Sequence, residues 1–215
     1  MSLPGTPMTD GRCNPDVISG ILSARTPRVL DGCGASGYRH AGVLLPLLEE
    51  GGVCKVLFTQ RTHRVEHHKG QISFPGGGVE AKDASIEETV LRETYEEIGL
   101  SQRDIEILGR IDDALTVASN YVIHPLVGWI ASVDDLAINR TEVKKIILAP
   151  LALFFGRRSE ARRYPVEYEG VIYETVAFQY GEHMIWGATA KMMENFVEIM
   201  EANLGAPPPQ NHADL

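Results

Sequence analysis

The stretch from Gly76 to Leu100, GGGVEAKDASIEETVLRETYEEIGL, limits what this chain can fold into more than any other. Three glycines run into a segment that opens with Ser85 and Glu88 at capping-box spacing and closes at Gly99, a residue type that commonly follows a helix end. The spacing predicts a helix between them. Ile86, Val90, Glu93 and Glu97 follow one another at intervals of four, three and four, which is a single helical stripe. That stripe begins apolar and ends in carboxylates. Glu96 stands three residues after Glu93 and next to Glu97, so the three acids share about 100° of helix arc. Like charges so placed cost a helix roughly a few tenths of a kcal/mol per pair, and a bound cation would offset the repulsion. A solvated acidic face is the ordinary explanation of a glutamate run. Here the continuity with apolar residues and the glycine-rich approach point to a site.

The second half of the stretch, Arg92-Glu93-Thr94-Tyr95-Glu96-Glu97-Ile98-Gly99-Leu100, resembles the Nudix box, matching six fixed positions in nine. In that pattern a glycine and a spaced acid precede the Arg-Glu pair. Counting back from Arg92 reaches Ala84 where the family has Glu, whereas counting from Gly77 puts Asp83 at the acidic position with one extra residue before Arg92. An insertion there would be absorbed in the loop and leave Glu93, Glu96 and Glu97 in register. Asp83 is then expected to act mainly at the helix cap.

The preceding segment, Thr59 to Gly77 (TQRTHRVEHHKGQISFPGG), is too polar and His-rich for a core, and it feeds directly into the glycines. In Thr59, Arg61, His68, Gly70, Phe74, Pro75, Gly76 and Gly77 it resembles the extra motif of the coenzyme A pyrophosphatase branch, with Thr62 where Ser is usual. Ser119 to Gly128, Glu142-Val143 leading to Pro150-Leu151, and Ile185 to Ala190 extend the likeness over roughly residues 40 to 203.

The resemblance implies an α/β protein with the Nudix fold, a mixed β-sheet sandwiched between helices (α/β/α). It also implies a metal-dependent hydrolase of a nucleoside diphosphate linked to another moiety. A divalent cation held by carboxylates neutralises diphosphate oxygens and lowers the pKa of bound water, and magnesium or manganese suits oxygen ligands. By resemblance, Glu93 and Glu97 are the leading metal ligands, and Glu96 is the third or the residue that orients water. The identity of the general base stays open. Arg92 is expected to pin a site carboxylate and the glycine loop. Arg61, His68 and Lys69 are the expected contacts to substrate phosphates, and Gly76 and Gly77 let backbone N–H groups approach phosphate. The expected substrate is coenzyme A or an acyl-coenzyme A, cleaved to 3′,5′-ADP and a 4′-phosphopantetheine product. The alternatives are ADP-ribose, a dinucleotide or a nucleoside triphosphate. A binding module without turnover would have no physical reason to keep three mutually repelling carboxylates.

Composition narrows the setting. With 215 residues, 44% hydrophobic and 23% charged, the chain supports one domain. An N-terminal arm over residues 1–37, partly disordered, a domain over 38–204 and a disordered tail over 205–215 are expected. No apolar run approaches the roughly 18 residues that span a bilayer, and a net charge of −9 argues against nonspecific nucleic-acid binding. A local basic patch at Arg157, Arg158, Arg162 and Arg163 could still meet phosphates. Cys13, Cys33 and Cys54 lack metal or redox spacing, so reduced, partly buried thiols are expected. No export signal is evident, which gives a cytoplasmic expectation. The expected partner is a small-molecule nucleotide, with no membrane, and a homodimer is left open.

The remaining pattern predicts a short helix in the arm around Val17 to Leu22 and a hairpin of strands over 41–48 and 53–59. It further predicts strands over 105–111, 121–131 and 141–149, with Pro125 marking an edge or bulge in the second of these. A short helix to Phe155, a hairpin over 164–180 and a closing helix from Gly187 to Leu204 complete the reading.

Overall fold

All eight residues of the apolar run Ala41 to Leu48 are buried in strand β1 (Arg39–Glu50), as a strand covered on both faces requires. The computed structural model describes residues 11–30, 37–62, 70–116, 119–156, 163–168 and 170–205. The expected phosphate contacts His68 and Lys69, the arginines Arg157, Arg158 and Arg162, and the tail beyond 205 lie outside the described residues.

Strand β1 turns through Gly51 and Gly52, both at positive φ (+62° and +75°), into β2 (Val53–Arg61), forming the predicted antiparallel hairpin. Two short strands follow, β3 (Ile72–Ser73) on β2 and β4 (Gly76–Gly78) on β1. The glycines are therefore a strand as well as a turn into the helix. Strands β5 (Ile105–Arg110), β6 (Ala114–Thr116), β7 (Tyr121–Ile130) and β8 (Val143–Pro150) complete a mixed eight-stranded sheet, in which β1 and β7 run parallel and the other pairs antiparallel. A separate sheet of β9 (Arg163–Tyr168), β10 (Val171–Tyr180) and β11 (His183–Trp186) follows. The third of these strands was not evident from periodicity.

Helices cover both faces. Gly42 and Leu44 of β1 meet helix α2 (Ile86–Ile98), whereas Val43, Leu45 and Leu47 face the main cluster. That cluster holds Ile18 and Leu22 of helix α1 (Pro15–Ser23) and Phe196, Val197 and Met200 of helix α3 (Gly187–Leu204), so the α/β/α expectation is met. Among the described residues, no helix is long and apolar enough to cross a bilayer.

Two expectations are corrected. Of the two readings of Pro125, the edge is corrected and an irregularity is found: β7 is interior, and Pro125 falls at the break where β5 has ended at Arg110 and β6 has not begun at Ala114, so its missing N–H interrupts no ladder there. The cysteines are not all reduced thiols either, since Cys13 and Cys54 are disulfide-bonded with Cα atoms 5.6 Å apart. Sequence spacing could not show this pair, because it is made by the packing of α1 against the sheet. The segment after α1 is held as well: Asp112 pairs with Arg25 and accepts from Arg28 N–H at 2.9 Å, and Asp113 accepts from Leu30 N–H at 2.9 Å. His124 Nδ1 lies 3.0 Å from the same Asp113 oxygen, which ties β7 to that link.

The crosslink closes a separation of 41 residues, for which chain entropy predicts about 4 kcal/mol of stabilisation. Dithiothreitol should lower the melting temperature by roughly 10 °C, and Cys13→Ser should show the lower value with no further response to reductant. Three titratable thiols in the untreated protein, with no reductant effect, would contradict the bond.

Candidate active site

Helix α2 starts where the sequence says it should. Ser85 Oγ accepts from Glu88 N–H at 3.1 Å, and Gly99 ends the helix at φ +73°. The Glu88 carboxylate reaches back to Ala84 N–H at 2.7 Å, one residue earlier than a standard capping box. The helix then lies unusually close to β1 and β4. A Cβ on Gly42 would come within 2.8 Å of Val90, and one on Gly77 would collide with the Glu93 carboxylate. Gly76, at φ +150°, would collide with the Gly42 carbonyl if it carried a side chain. These glycines make room for the acidic end of the stripe.

Glu97 fills that room. Its side chain is 3% exposed, and its oxygens accept from Gly76 N–H and from Arg61 Nη1, each at 3.4 Å. Glu93 is 17% exposed and Glu96 49% exposed. Arg92 gathers the remaining charge. Its Nε and Nη2 grip the two oxygens of Asp83 at 2.9 Å each, Nη2 also donates to Gly78 O at 3.1 Å, and Nη1 donates to Glu93 at 2.8 Å and Glu96 at 3.2 Å. This is the fork expected of Arg92, joining site carboxylates to the glycine strand. Asp83 further accepts from Glu80 N–H and Thr89 Oγ1, both at 2.9 Å. The expected capping role of Asp83 is thus corrected: Ser85 caps the helix, while Asp83 is the anchor for Arg92.

The electrostatics follow from burial. Desolvation pushes the Glu97 carboxyl up to about 7; the Arg61 charge and Gly76 N–H oppose this, and the nearby Glu93 and Glu142 charges add to it. Burial also raises Glu93 against the pull of Arg92. Asp83 is held well below the usual carboxylate range, first by its hydrogen bonds to Arg92, and Arg92 is correspondingly held protonated, first by Asp83.

Glu142 is a carboxylate that the helix reasoning did not select. It precedes β8, its carbonyl accepts from Thr62 N–H at 2.8 Å, and its side chain accepts from Asn139 Nδ2 at 3.3 Å, while Asn139 N–H donates to Glu97 O at 2.9 Å. The short turn therefore ties Glu142 to the end of α2. Its only sequence signal was the likeness at Glu142-Val143.

The structure brings together Arg61, Gly76, Gly77, Arg92, Glu93 and Glu97. Among the described residues, however, no three acidic, His or Cys side chains converge as a metal cage. Glu96 departs from the expected three-carboxylate cluster, because its half-exposed carboxylate is drawn to Arg92. The donor chemistry still suits a hard divalent cation: buried Glu97 lies beside Glu93, and its Arg61 contact at 3.4 Å is longer than the roughly 2.7–2.9 Å of a strong charge-assisted bond. Arg61 Nε is buried without a hydrogen-bond partner among the described residues.

A family model described as NUDIX domain matches residues 38–162. The chain is 33% identical over 167 residues to "Uncharacterized Nudix hydrolase NudL" of Photorhabdus laumondii, covering 76% of this chain and 86% of that protein. It is 29% identical over 192 residues to "Mitochondrial coenzyme A diphosphatase NUDT8" of Homo sapiens, covering 86% of this chain and 81% of that protein. A MutT/nudix family protein from Enterococcus faecalis superposes with a TM-score of 0.52 over 95% of this chain and 79% of that one, at 16% identity, which speaks to the fold.

Two outcomes follow from the geometry. A carboxyl raised from 4.5 to about 7 on folding contributes stability that is fully present below pH 4.5 and lost as pH rises through about 7, a change of about 3 kcal/mol. Glu97→Gln should therefore melt higher than the unaltered metal-free protein at pH 8, and the gap should close toward pH 4.5; a gap independent of pH would contradict the burial argument. The Arg92 grip makes a separate claim, that Asp83→Ala and Arg92→Ala act on one unit. Each should reduce turnover, and the double variant should lose little more than the worse single one, whereas additive losses would separate the two residues.

Proposed function

Because the chain belongs to the Nudix family, we propose that it hydrolyses the diphosphate of coenzyme A or an acyl-coenzyme A, releasing 3′,5′-ADP and (acyl-)4′-phosphopantetheine. The observation that carries this reading is that Arg61 and Gly76, from the two ends of the extra motif, both reach the acidic helix: Arg61 donates to one Glu97 oxygen and Gly76 N–H to the other. The extended similarity to a coenzyme A diphosphatase over most of the chain supports the same substrate.

In this reading Glu97 and Glu93 hold a divalent cation, magnesium or manganese, with Glu96 able to join them on leaving Arg92. A cation held there would neutralise diphosphate oxygens and acidify a bound water. The chain's own residues do the rest. Arg92, fixed by Asp83 and the Gly78 carbonyl, keeps Glu93 against Gly77, so that this carboxylate does not have to be ordered when substrate arrives. Arg61, whose Nη1 and the Gly76 N–H both reach Glu97, is the cation offered to the phosphates, with the Gly76 and Gly77 backbone on the same side of that carboxylate. Glu96 and Glu142 are the carboxylates left to take the proton from the attacking water.

A product assay with purified protein and magnesium tests this directly. Coenzyme A and acyl-coenzyme A should give the highest kcat/KM among a panel that includes ADP-ribose, NADH and nucleoside triphosphates. Chelation and Glu97→Gln should each bring turnover to background. ADP-ribose as much the best substrate would overturn the substrate reading, and near-normal turnover by Glu97→Gln would overturn the site.

A further inference from the structure

The turn that leads into β8 is built around one side chain, Asn139. Its carbonyl accepts from Glu142 N–H at 3.1 Å and from Val143 N–H at 2.9 Å, while its own N–H donates to the Glu97 carbonyl at 2.9 Å. Its Oδ1 accepts from Thr141 N–H at 3.1 Å and from Thr141 Oγ1 at 2.6 Å, and its Nδ2 donates to Glu142 Oε1 at 3.3 Å. A backbone N–H can only donate and a carboxylate can only accept, so the amide oxygen must face Thr141 and the amide nitrogen Glu142. The oxygen end closes an Asx turn, which shapes the backbone. The nitrogen end does nothing for the backbone; it holds a carboxylate.

That carboxylate is half-buried and stands between the two elements that hold Glu97. On one side, the Glu142 carbonyl accepts from Thr62 N–H at 2.8 Å, and the next residue, Val143, is the ladder partner of Arg61, whose Nη1 reaches Glu97 Oε1. On the other side, Val143 packs with Ile98 and Leu100 at the end of α2, where Asn139 N–H meets the Glu97 carbonyl. Burial raises the Glu93 and Glu97 carboxyls, and the Glu142 charge adds to the rise at both, which agrees with its place beside this pair. Glu96 is the competing carboxylate. It is 49% exposed and already has an oxygen on Arg92 Nη1 at 3.2 Å. Glu142 is instead held by a neutral amide through Oε1, which leaves Oε2 without a protein donor among the described residues.

Resting on the reading of this chain as a diphosphate hydrolase, we propose that Glu142 is its general base and that Asn139 is the positioning residue that aims it. The oxygen of the attacking water bonds to one phosphorus of the substrate diphosphate, and the proton of that water passes to Glu142 Oε2. The bond from the same phosphorus to the bridging oxygen breaks, its electron pair leaving on the second phosphate. Asn139 touches neither water nor substrate. Its amide fixes Oε1, so that Oε2 is held for the water and does not have to be ordered at each turnover.

The test compares variants of the full chain by kcat, KM, melting temperature and manganese affinity from electron paramagnetic resonance, on whichever diphosphate the unaltered protein cleaves best. Glu142→Gln should lower kcat by about a hundredfold or more, with KM near normal and manganese still bound. Asn139→Asp separates position from structure, since it keeps an oxygen for Thr141 and the backbone N–H for Glu97 but turns an acceptor toward Glu142. Its melting temperature and KM should stay and its kcat fall by about tenfold, with no further fall when it is added to Glu142→Gln. Full kcat in Asn139→Asp would leave only the Asx turn and overturn the positioning role. Normal kcat in Glu142→Gln, with the deep loss in Glu96→Gln instead, would overturn the base. No hydrolysis of any diphosphate by the unaltered protein would remove the functional reading and this assignment together, whereas hydrolysis that survives Glu142→Gln removes the assignment alone.

Discussion

The close approach of α2 to β1 and β4 is the constraint on which the rest of the site depends. Without room at Gly42 and Gly77, the helix would stand off the sheet and its last two turns would carry solvated acids. Because the room exists, the apolar stripe continues into carboxylates that are dragged into the interior with it. Val90 and Ile98 are fully buried and each contribute about 2 kcal/mol, which together exceeds the roughly 3 kcal/mol that an ionised Glu97 costs. Packing therefore wins, and the unfavourable carboxylate stays where packing puts it.

That arrangement changes the meaning of the acidic cluster. Repulsion among Glu93, Glu96 and Glu97 suggested a need for an external cation, yet one guanidinium already answers much of it. Arg92 contacts Asp83, Glu93 and Glu96 at once. Glu97 is the carboxylate it does not contact, and it is also the most buried of the three. Its cationic contact is the long one from Arg61 at 3.4 Å, so the least satisfied demand for positive charge falls on this side chain beside the glycine strand. A divalent cation there would relieve the protein and serve the chemistry through the same contact.

Much of this was legible in the sequence, for reasons that differ by element. The limits of α2 could be read because Ser85 and Gly99 act through local backbone hydrogen bonds, which depend only on neighbours. The fork at Arg92 was expected, but its anchor was not, because Asp83 reaches it across the loop and its spacing suggested a cap. The disulfide and the interior position of β7 escaped for a common reason: each is a relation between segments distant in the chain, Cys13 with Cys54 and Pro125 with the gap between β5 and β6. Glu142 was hidden in the same way, since its closeness to Glu97 runs through Asn139 and not through periodicity.

The central claim is that buried Glu97, with Glu93, is the place where a divalent cation is held. Electron paramagnetic resonance of added manganese measures this without reference to any substrate. The account predicts a site on the unaltered protein whose affinity collapses in Glu97→Gln, falls in Glu93→Gln, and changes less in Glu96→Gln. Manganese bound equally well by Glu97→Gln and the unaltered protein would contradict it.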